Sequence, residues 1–297
     1  MFHKEHSTHF ISLITDKEFY RNLKPFLNCI DHTVSKESYE VMRNEDYDML
    51  VTSPVPNNLE KYYASEDYIS HTDSKTSLFD KTYQFVKNYT LKKKLKLINS
   101  FNTEEKSILD IGAGTGDFLK VCEKGGWRIN GVEPSEKARD FAKNKNINLV
   151  EDISKIDNKQ FDVITLWHVL EHIPNLTEYV QQLKSLLKPN GFLIIAVPNY
   201  KSFDSEHYKE FWAAYDVPRH LWHFSKTTIS KIFSFVEIKV EKILPMKFDS
   251  YYVSLLSEKY KTKKSRPIHA FLTGLKSNMK AKRSGEYSSL IYILKSK

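Results

Sequence analysis

The chain has 297 residues but only two cysteines, Cys29 and Cys122. So small a number argues against the disulfide scaffold of a secreted protein and against a four-cysteine zinc site. Long apolar runs are also missing, since the best one, residues 191–198, is far shorter than the roughly 20 residues of a membrane-spanning helix. The first residues lack the apolar core and the cleavage site of a signal peptide. These absences predict a cytoplasmic protein without a membrane span.

Acidic residues are absent from residues 259–283, which hold nine of the 45 Lys and Arg residues. The formal net charge of +8 therefore comes from this one stretch, and the remainder of the chain is nearly neutral. A basic stripe attracts nucleic acid, anionic lipid or a phosphorylated substrate, but most short charge runs are simply solvated surface. Nucleic acid is therefore not the expected partner.

The pattern of apolar residues divides the chain into segments. Residues 1–58 form an N-terminal extension that ends in the turn-rich TSPVPNN and contains SYEVM and DMLVT as candidate short strands. Helical spacing over 59–100 predicts two lead-in helices. From residue 107, short apolar strands, among them INLVED at 147–152, alternate with amphipathic helices as far as FLIIAVPN. Strands that are buried on both faces and alternate with helices predict an α/β fold with a doubly wound parallel sheet.

Residues 199–225 interrupt this alternation with a long segment rich in aromatic residues and histidine. A loop of such length inside a compact domain is usually functional, so we expect it to overhang the site. A helix, a strand, a basic helical insertion at 246–285 and a final β-like run, YSSLIYILK, follow it.

Glycine is scarce, with nine residues, yet Gly112, Gly114 and Gly116 stand together in ILDIGAGTGDFL. In an open parallel sheet, ligands bind at the carboxyl ends of the strands, where this loop lies. The spacing differs from the Gly-x-Gly-x-x-Gly of a dinucleotide site, and the acidic Asp110 and Glu133 accompany it. Two carboxylates suit a ligand with an ammonium group and a ribose better than a ligand with phosphates.

These motifs resemble the class I S-adenosylmethionine-dependent methyltransferases, and in particular bacterial small-molecule methyltransferases related to the ubiquinone-pathway O-methyltransferases. The resemblance rests on ILDIGAGTGDFL, GVEP, FDVITLWHVLEHIPN and LKPNGFLIIAVPN, and it covers residues 105–245. It implies S-adenosylmethionine as the cofactor. It also implies a Rossmann-like sheet of seven strands, mostly parallel with an antiparallel last strand, in a domain of residues 101–297.

The N-terminal extension resembles a small module that precedes this domain in some of those relatives. In them, cysteine pairs suggest a zinc ribbon, whereas this chain keeps only Cys29 and has Asn44 and Tyr47 where a Cys-x-x-Cys is expected. We therefore predict a degenerate ribbon-like module at 1–58 that has lost its metal, and a helical lid or lead-in at 59–100.

The resemblance implies cofactor contacts at several strand ends. Asp110 and the neighbouring glycines would approach the methionine end, and Glu133 would bind the ribose hydroxyls. Glu151 or, by preference, Asp152 would face the adenine amine, although an acid at a strand end is often only a helix cap. The complete predicted cofactor site is Asp110, Gly112, Ala113, Gly114, Gly116, Glu133, Pro134, Asp152, Trp167 and His168.

Residues 168–172 read His-x-x-Glu-His, a pattern known from zinc hydrolases. A zinc site of that kind needs both histidines on one long helix, whereas this segment follows a buried strand and soon meets a proline, so we predict no metal. The resemblance places this strand end beside the reactive methyl group. His168 is then a candidate catalytic base and Trp167 packs on the cofactor. In the alternative interpretation Trp167 belongs to the core, and Glu171 and His172 only stabilise the turn.

The stretch DVPRHLWHF within the aromatic loop supplies candidate substrate contacts, and a similar stretch borders the acceptor pocket in the relatives. Arg219 suits a carboxylate or phosphate, and His220 is a second candidate catalytic base. In the alternative, Arg219 pairs with Asp216 and the histidines are packed. The complete predicted substrate site is Arg219, Asn199, Tyr68, His71 and His223, of which Tyr68 and His71 belong to a candidate lid, KYYASEDYISH.

The expected function is therefore O-methylation of a small-molecule or carrier-linked acceptor. A nicotinamide (NAD)-dependent oxidoreductase is one alternative, disfavoured by the glycine spacing and by Asp110. An RNA-associated or non-catalytic cofactor-binding protein is another, supported only by the basic insertion.

Overall fold

The computed structural model describes residues 15–63, 78–156 and 159–296, without the side chains of residues 78–83. Within these residues, ten strands form one sheet of six strands and one of four. The strands are β1 Lys24–Ile30, β2 Ser38–Asn44, β3 Met49–Ser53, β4 Ser107–Ile111, β5 Arg128–Val132, β6 Phe161–Trp167, β7 Leu187–Pro198, β8 Trp222–His223, β9 Ile238–Pro245 and β10 Ser289–Ser296. The α-helices are α1 Leu78–Asn99, α2 Asp117–Lys124, α3 Glu136–Lys143, α4 Leu176–Leu186, α5 Phe203–Tyr208, α6 Lys226–Ser234, α7 Asp249–Thr262 and α8 Pro267–Ser284.

The six-stranded sheet has the order β5-β4-β6-β7-β10-β9. Strands β5, β4, β6 and β7 pair in parallel, whereas β10 is antiparallel to both of its neighbours. Every residue of β4 is buried, as expected for a strand covered on both faces. The predicted α/β fold, with a mostly parallel sheet and an antiparallel last strand, is confirmed.

At the position of the predicted seventh strand, the chain forms only a single β-bridge. The segment INLVED, predicted as a strand, pairs with β5 only between Val150 and Val132. Just beyond, the Asp152 carboxylate accepts a hydrogen bond from the backbone nitrogen of Ser154 at 2.8 Å and caps a 3-10 helix, Ile153–Lys155. The chain therefore turns away from the sheet before a ladder forms.

The N-terminal extension forms the antiparallel strands β1, β2 and β3, and the fourth strand of this sheet, β8, comes from the aromatic loop. The predicted strands SYEVM and DMLVT lie in β2 and β3. Buried Asn44 donates to the carbonyl of Phe19 at 3.0 Å and accepts from the backbone nitrogen of Tyr47 at 3.1 Å. This side chain therefore stabilises a turn. The domain boundaries and the ribbon-like origin stay predictions.

One helix, α1, covers residues 78–99, where the sequence analysis predicts parts of two. The segment contains neither glycine nor proline, so nothing in it breaks a helix. Its end is held by Trp127, whose indole nitrogen donates to the Asn99 side chain at 2.8 Å.

The predicted basic insertion folds into α7 and α8, which pack on each other and on the aromatic loop. Asp204 of α5 accepts hydrogen bonds from the Trp212 indole at 2.8 Å and from the Ser277 hydroxyl of α8 at 2.6 Å. The backbone nitrogen of Ala213 donates to Ser257 of α7 at 2.9 Å. These hydrogen bonds therefore hold the aromatic loop and the insertion together above the sheet. Among the described residues, none of the helices has the length and apolar character needed to cross a membrane.

Candidate active site

The glycine loop leaves β4 and turns sharply into α2. Gly112, Gly114 and Gly116 have φ angles of 69°, 55° and 75°, in the left-handed region that favours glycine. The loop is fixed to β5 because the backbone nitrogens of Gly112 and Ala113 donate to the Val132 carbonyl at 2.8 and 3.0 Å. The backbone conformation thus explains three glycines within five positions.

The three glycines differ in their surroundings. A Cβ at Gly112 would lie 2.4 Å from Cγ2 of Val169, in the turn after β6, and a Cβ at Gly116 would lie 3.1 Å from Cγ2 of Ile147. A Cβ at Gly114 would meet no heavy atom within 4 Å. Gly112 allows the turn after β6 to pack closely, and its expected approach to a ligand stays a prediction. Gly114 is the position that leaves open space beside the backbone.

This difference predicts unequal effects of alanine at two neighbouring positions. Gly114→Ala should lower the free energy of unfolding by about 1–2 kcal/mol, the cost of a left-handed alanine. Gly112→Ala carries the same cost and, because branched Val169 yields little, about 1–3 kcal/mol more from the clash. Urea unfolding measures both values, and Val169→Ala should recover part of the loss in Gly112→Ala only. Equal destabilisation of the two glycine variants would contradict the packing role of Gly112.

Glu133 follows β5 and faces the glycine loop. One carboxylate oxygen accepts from the backbone nitrogen of Gly114 at 2.8 Å, and the other accepts from that of Ser135 at 2.9 Å. Each oxygen keeps a further lone pair for a donor. Glu133 can therefore accept hydrogen bonds from two hydroxyl groups placed in the open space at Gly114. The next residue, Pro134, is exposed, and its carbonyl accepts from Arg139 at 2.6 Å.

Asp110 is buried near the carboxyl end of β4. Its side chain accepts a hydrogen bond from the Thr165 hydroxyl at 2.5 Å. Burial raises the pKa of Asp110 to about 6, against the opposing effects of that hydrogen bond and of the Lys94 charge. A carboxylate in such a position is stabilised by a cation, so the end of β4 favours a positively charged ligand.

Lys94, on α1, is a residue of this region that the sequence analysis missed. Its ammonium nitrogen lies 3.9 Å from the ring centroid of Trp167 and 5.6 Å from that of Phe118. Burial lowers the pKa of Lys94 to about 8, while Asp110 and Asp249 oppose this change. Trp167 therefore presents an aromatic face to a cation that has the carboxylates of Asp110 and Asp249 in its surroundings. Helical spacing predicted α1 but not which of its lysines faces the cleft.

A cavity of about 1040 Å³ lies beyond the ends of β6 and β7. The turn after β6, the aromatic loop and α7 contribute to its wall. The glycine loop lies on the other side of the same turn, since Val169 meets Gly112 there. The volume is sufficient for a small-molecule ligand. The ionisable residues of the wall that matter below are His168, His172, Asp216, Arg219, His220 and Asp249.

His168, at the tip of β6, is held between two carboxylates. Its Nδ1 lies 3.3 Å from Glu171 and its Nε2 lies 3.0 Å from Asp249 of α7. Burial lowers the pKa of His168, but the hydrogen bonds with Asp249 and Glu171 outweigh burial and raise the pKa to about 10. The ring is therefore protonated at neutral pH. This geometry does not favour His168 as a base; it favours a fixed cation that ties α7 to the turn.

His172 and His220 face each other with ring centroids 4.5 Å apart. The Nδ1 of His172 lies 3.0 Å from the Arg219 carbonyl, and the Nδ1 of His220 donates to the Ala214 carbonyl at 2.9 Å. Carbonyl oxygens only accept, so Nδ1 of His220 carries the hydrogen and a neutral His220 has its lone pair on Nε2. The Nδ1 of His172 also lies 3.0 Å from the Tyr63 hydroxyl, which can donate to it. Burial and the neighbouring His220 lower the pKa of His172 to about 4. Both imidazoles line the cavity, and the Nε2 of His220 offers a lone pair there when the ring is neutral.

Glu171, His172 and His220 offer ligand atoms that all lie within 4.8 Å of one another. Glu171 is fully buried, and its Oε2 has no hydrogen-bond partner among the described residues. A carboxylate with two neutral imidazoles is a donor set that suits a divalent transition metal. The sequence predicts no metal because residues 168–172 do not lie on one long helix; the fold brings His220, from the aromatic loop, to Glu171 and His172.

Two predicted substrate residues are engaged within the protein. Asn199 is buried, and its amide donates to Glu286 at 2.7 Å and to the Tyr287 carbonyl at 3.1 Å. His223 is buried in β8, where its Nε2 lies 3.1 Å from the Thr52 hydroxyl, and burial lowers its pKa to about 3. For both, the contacts favour structural roles, which for His223 is the packed alternative.

Arg219 lines the cavity, as predicted for a substrate residue, but it also pairs with Asp216 at 2.5 Å. Both interpretations of Arg219 therefore keep support. Tyr68 and His71 lie outside the described residues. Asp152 is exposed and acts as a helix cap, and its predicted role towards a ligand stays a prediction.

Asp249 is the second missed residue. It begins α7, far along the chain from His168, and reaches that ring because the insertion folds back over the sheet. In the sequence, Asp249 is distinguished only by its position just after a predicted strand and before the basic helix. This position does not indicate that its side chain contacts His168.

The profile of the methyltransferase domain family matches residues 81–240. The chain is 31% identical over 108 residues to a ubiquinone biosynthesis O-methyltransferase of Actinobacillus pleuropneumoniae, a match that covers 32% of this chain and 46% of that protein. It is 35% identical over 104 residues to the protein of the same name in Coxiella burnetii, covering 32% and 44%. These matches span less than half the length of the curated relatives.

Among solved structures, the chain is similar to magnesium protoporphyrin IX methyltransferase from Synechocystis PCC 6803, determined with bound SAH. The TM-score is 0.50 with 16% sequence identity, and the alignment covers 76% of this chain and 91% of that one. At this identity the similarity concerns the fold alone.

Proposed function

The chain belongs to the methyltransferase domain family, as a class I member that uses S-adenosylmethionine, and from this premise we propose that it methylates an oxygen atom of a small-molecule or carrier-linked acceptor. The bound cofactor supplies an activated methyl group. The chain itself must then hold the cofactor, align the acceptor and accept the proton that the acceptor hydroxyl loses.

The observation that carries the cofactor assignment is the open space at Gly114 beside the two oxygens of Glu133. Glu133 would hold the ribose hydroxyls there. The buried carboxylate of Asp110 is the group that we assign to the cationic end, while Trp167, whose face contacts the ammonium group of Lys94, would pack on the cofactor. We also propose that the exposed carboxylate of Asp152 accepts a hydrogen bond from the adenine amine.

We assign the acceptor to the large cavity and the base to His220. The Nε2 of His220 carries a lone pair at the cavity wall, whereas His168 is held protonated between Asp249 and Glu171. Arg219 supports an acceptor with a carboxylate or phosphate group, although Asp216 already shares its charge. Oxygen as the methylated atom is supported by the names of the curated relatives and by the presence of a base.

The comparisons do not favour the two alternative functions. The family match covers the glycine loop and the acidic strand end that disfavour a nicotinamide cofactor, and it gives no support to RNA association. The cytoplasmic location stays a prediction.

Transfer of a labelled methyl group tests the proposal. The chain is incubated with S-adenosylmethionine carrying a 13C methyl group and with hydroxy acids, free or as pantetheine thioesters, each paired with its amino analogue. We expect the label on the oxygen of a hydroxy compound, which the carbon chemical shift identifies, and calorimetric binding of S-adenosylhomocysteine but not of NADH. Transfer only to the amino analogues would overturn O-methylation, and no heat with either the methyl donor or its product would overturn the enzymatic assignment.

A further inference from the structure

Helix α8 is amphipathic, but its large apolar residues lie on the exposed face and its small residues on the buried face. A helix on a globular protein normally buries its large apolar residues, but α8 exposes them, with exposed fractions between 38% and 77%. The exposed residues are Ile268, Phe271, Leu272, Leu275 and Met279. Their spacing of three and four residues places all five on one face. The five side chains form an exposed ridge, within which Phe271 also stacks on Tyr251 of α7 with ring centroids 5.2 Å apart.

The buried face of α8 consists of small residues, several of them polar. They are Ala270, Thr273, Gly274, Ser277, Asn278 and Ala281. The neighbouring helix α7 likewise buries Ser250, Ser254 and Ser257. A Cβ at Gly274 would lie 2.9 Å from the Ser250 carbonyl, so the two backbones approach closely.

Polar side chains join the two helices at this contact. The Ser250 hydroxyl donates to the Gly274 carbonyl at 3.2 Å, and the Asn278 amide donates to the Ser250 hydroxyl at 2.9 Å. Small residues and hydrogen bonds between helices, with large apolar side chains outside, form the packing pattern of helices whose surroundings are apolar.

The charge of the stretch that contains the ridge, residues 259–283, has a single sign, and two of its cations, Lys259 and Lys263, border the cavity. Residues 259–283 contain nine Lys and Arg residues, all of them exposed, and no acidic residue. A second copy of the chain would bring the same positive charges against each other, so charge opposes a dimer through this face. An anionic lipid surface provides acyl chains that the apolar ridge can contact and negatively charged headgroups that can pair with the cations.

We propose that the hairpin of α7 and α8 binds the surface of an anionic membrane, with the apolar ridge of α8 at the boundary of the acyl chains. The helix lies on the surface rather than across it, since no described helix is both long enough and apolar enough to span a bilayer. Because α7 also forms part of the cavity wall, the docked surface lies next to the proposed acceptor site, but the docking does not depend on the enzymatic activity.

Flotation of the full chain with lipid vesicles tests the docking. We expect binding to vesicles of phosphatidylcholine mixed with phosphatidylglycerol, and much weaker binding to phosphatidylcholine alone. Phe271→Ser combined with Leu272→Ser should weaken binding by at least about tenfold, because two exposed apolar side chains lose their apolar environment. Phe26→Ser, at an exposed position on β1, is the matched control and should leave binding unchanged. Circular dichroism verifies that each variant folds.

A pair of charge variants separates docking from general attraction. Lys280→Glu with Lys282→Glu and Lys239→Glu with Lys242→Glu change the net charge equally, but only the first pair belongs to α8. We expect the first pair alone to weaken binding strongly. Equal losses, no binding to either vesicle, or a dimer that the Phe271 and Leu272 variant converts to a monomer would each overturn the proposal.

Discussion

Replacement of His220 by Asn is expected to lower the rate of methyl transfer by about 10²–10⁴-fold and to leave cofactor affinity unchanged, because it removes the proposed base. The Nδ1 of His220 donates to the Ala214 carbonyl at 2.9 Å, and its Nε2 lies 3.8 Å from Asp216. The amide nitrogen of Asn can take the place of Nδ1, but nothing replaces Nε2. The rate is measured at saturating cofactor, and the affinity for S-adenosylhomocysteine is measured by calorimetry.

His223→Gln is the control for His220→Asn. It also removes a buried imidazole from the aromatic loop, but His223 bonds to Thr52 and does not line the cavity. We expect a small change in rate, and a loss equal to that of His220→Asn would contradict the assignment of the base. Chelation is the second discriminating measurement. If a chelator abolishes activity and a divalent cation restores it, His220 acts as a metal ligand with Glu171 and His172, and the role as base is wrong.

The parts of the site that could be predicted from the sequence depend on short stretches of chain. The glycine spacing predicts the turn after β4, and buried strands alternating with helices predict the parallel sheet, so Asp110 and Glu133 are expected at neighbouring strand ends. The structure adds that Gly112 serves packing with Val169 and that Gly114 alone of the three loop glycines borders open space.

The parts that could not be predicted depend on how distant segments dock. The carboxylate of Asp249 reaches His168 only because the insertion folds back over the sheet, and this contact decides the protonation of a candidate base. Lys94 lies on a helix whose existence, but not its orientation, follows from periodicity. The strand expected around Val150 does not form beyond one bridge, because the Asp152 side chain caps the 3-10 helix that follows. Composition alone does not show whether such local hydrogen bonds or a strand ladder will form.

Glu133→Ala is expected to weaken binding of S-adenosylhomocysteine by at least about 100-fold. If the carboxylate accepts hydrogen bonds from both ribose hydroxyls, each charge-assisted bond contributes about 1.5–3 kcal/mol, and the loss of two exceeds two orders of magnitude in affinity. Glu133→Gln should have a smaller effect, because its amide oxygen still accepts one bond. Calorimetry measures the affinities, and thermal unfolding without ligand measures how much the glycine loop itself depends on Glu133.

Two comparisons decide whether this loss reports ribose binding. Glu136→Ala removes a carboxylate from the first turn of α3, three residues away and exposed, and should leave the affinity within about twofold, since surface charges contribute little. His223→Ala disturbs a buried residue outside the glycine loop and should also weaken binding far less than Glu133→Ala. If His223→Ala and Glu133→Ala weaken binding equally, the ribose assignment is wrong. The carboxylate would then act only through its hydrogen bonds to the backbone nitrogens of Gly114 and Ser135, as a support for the loop.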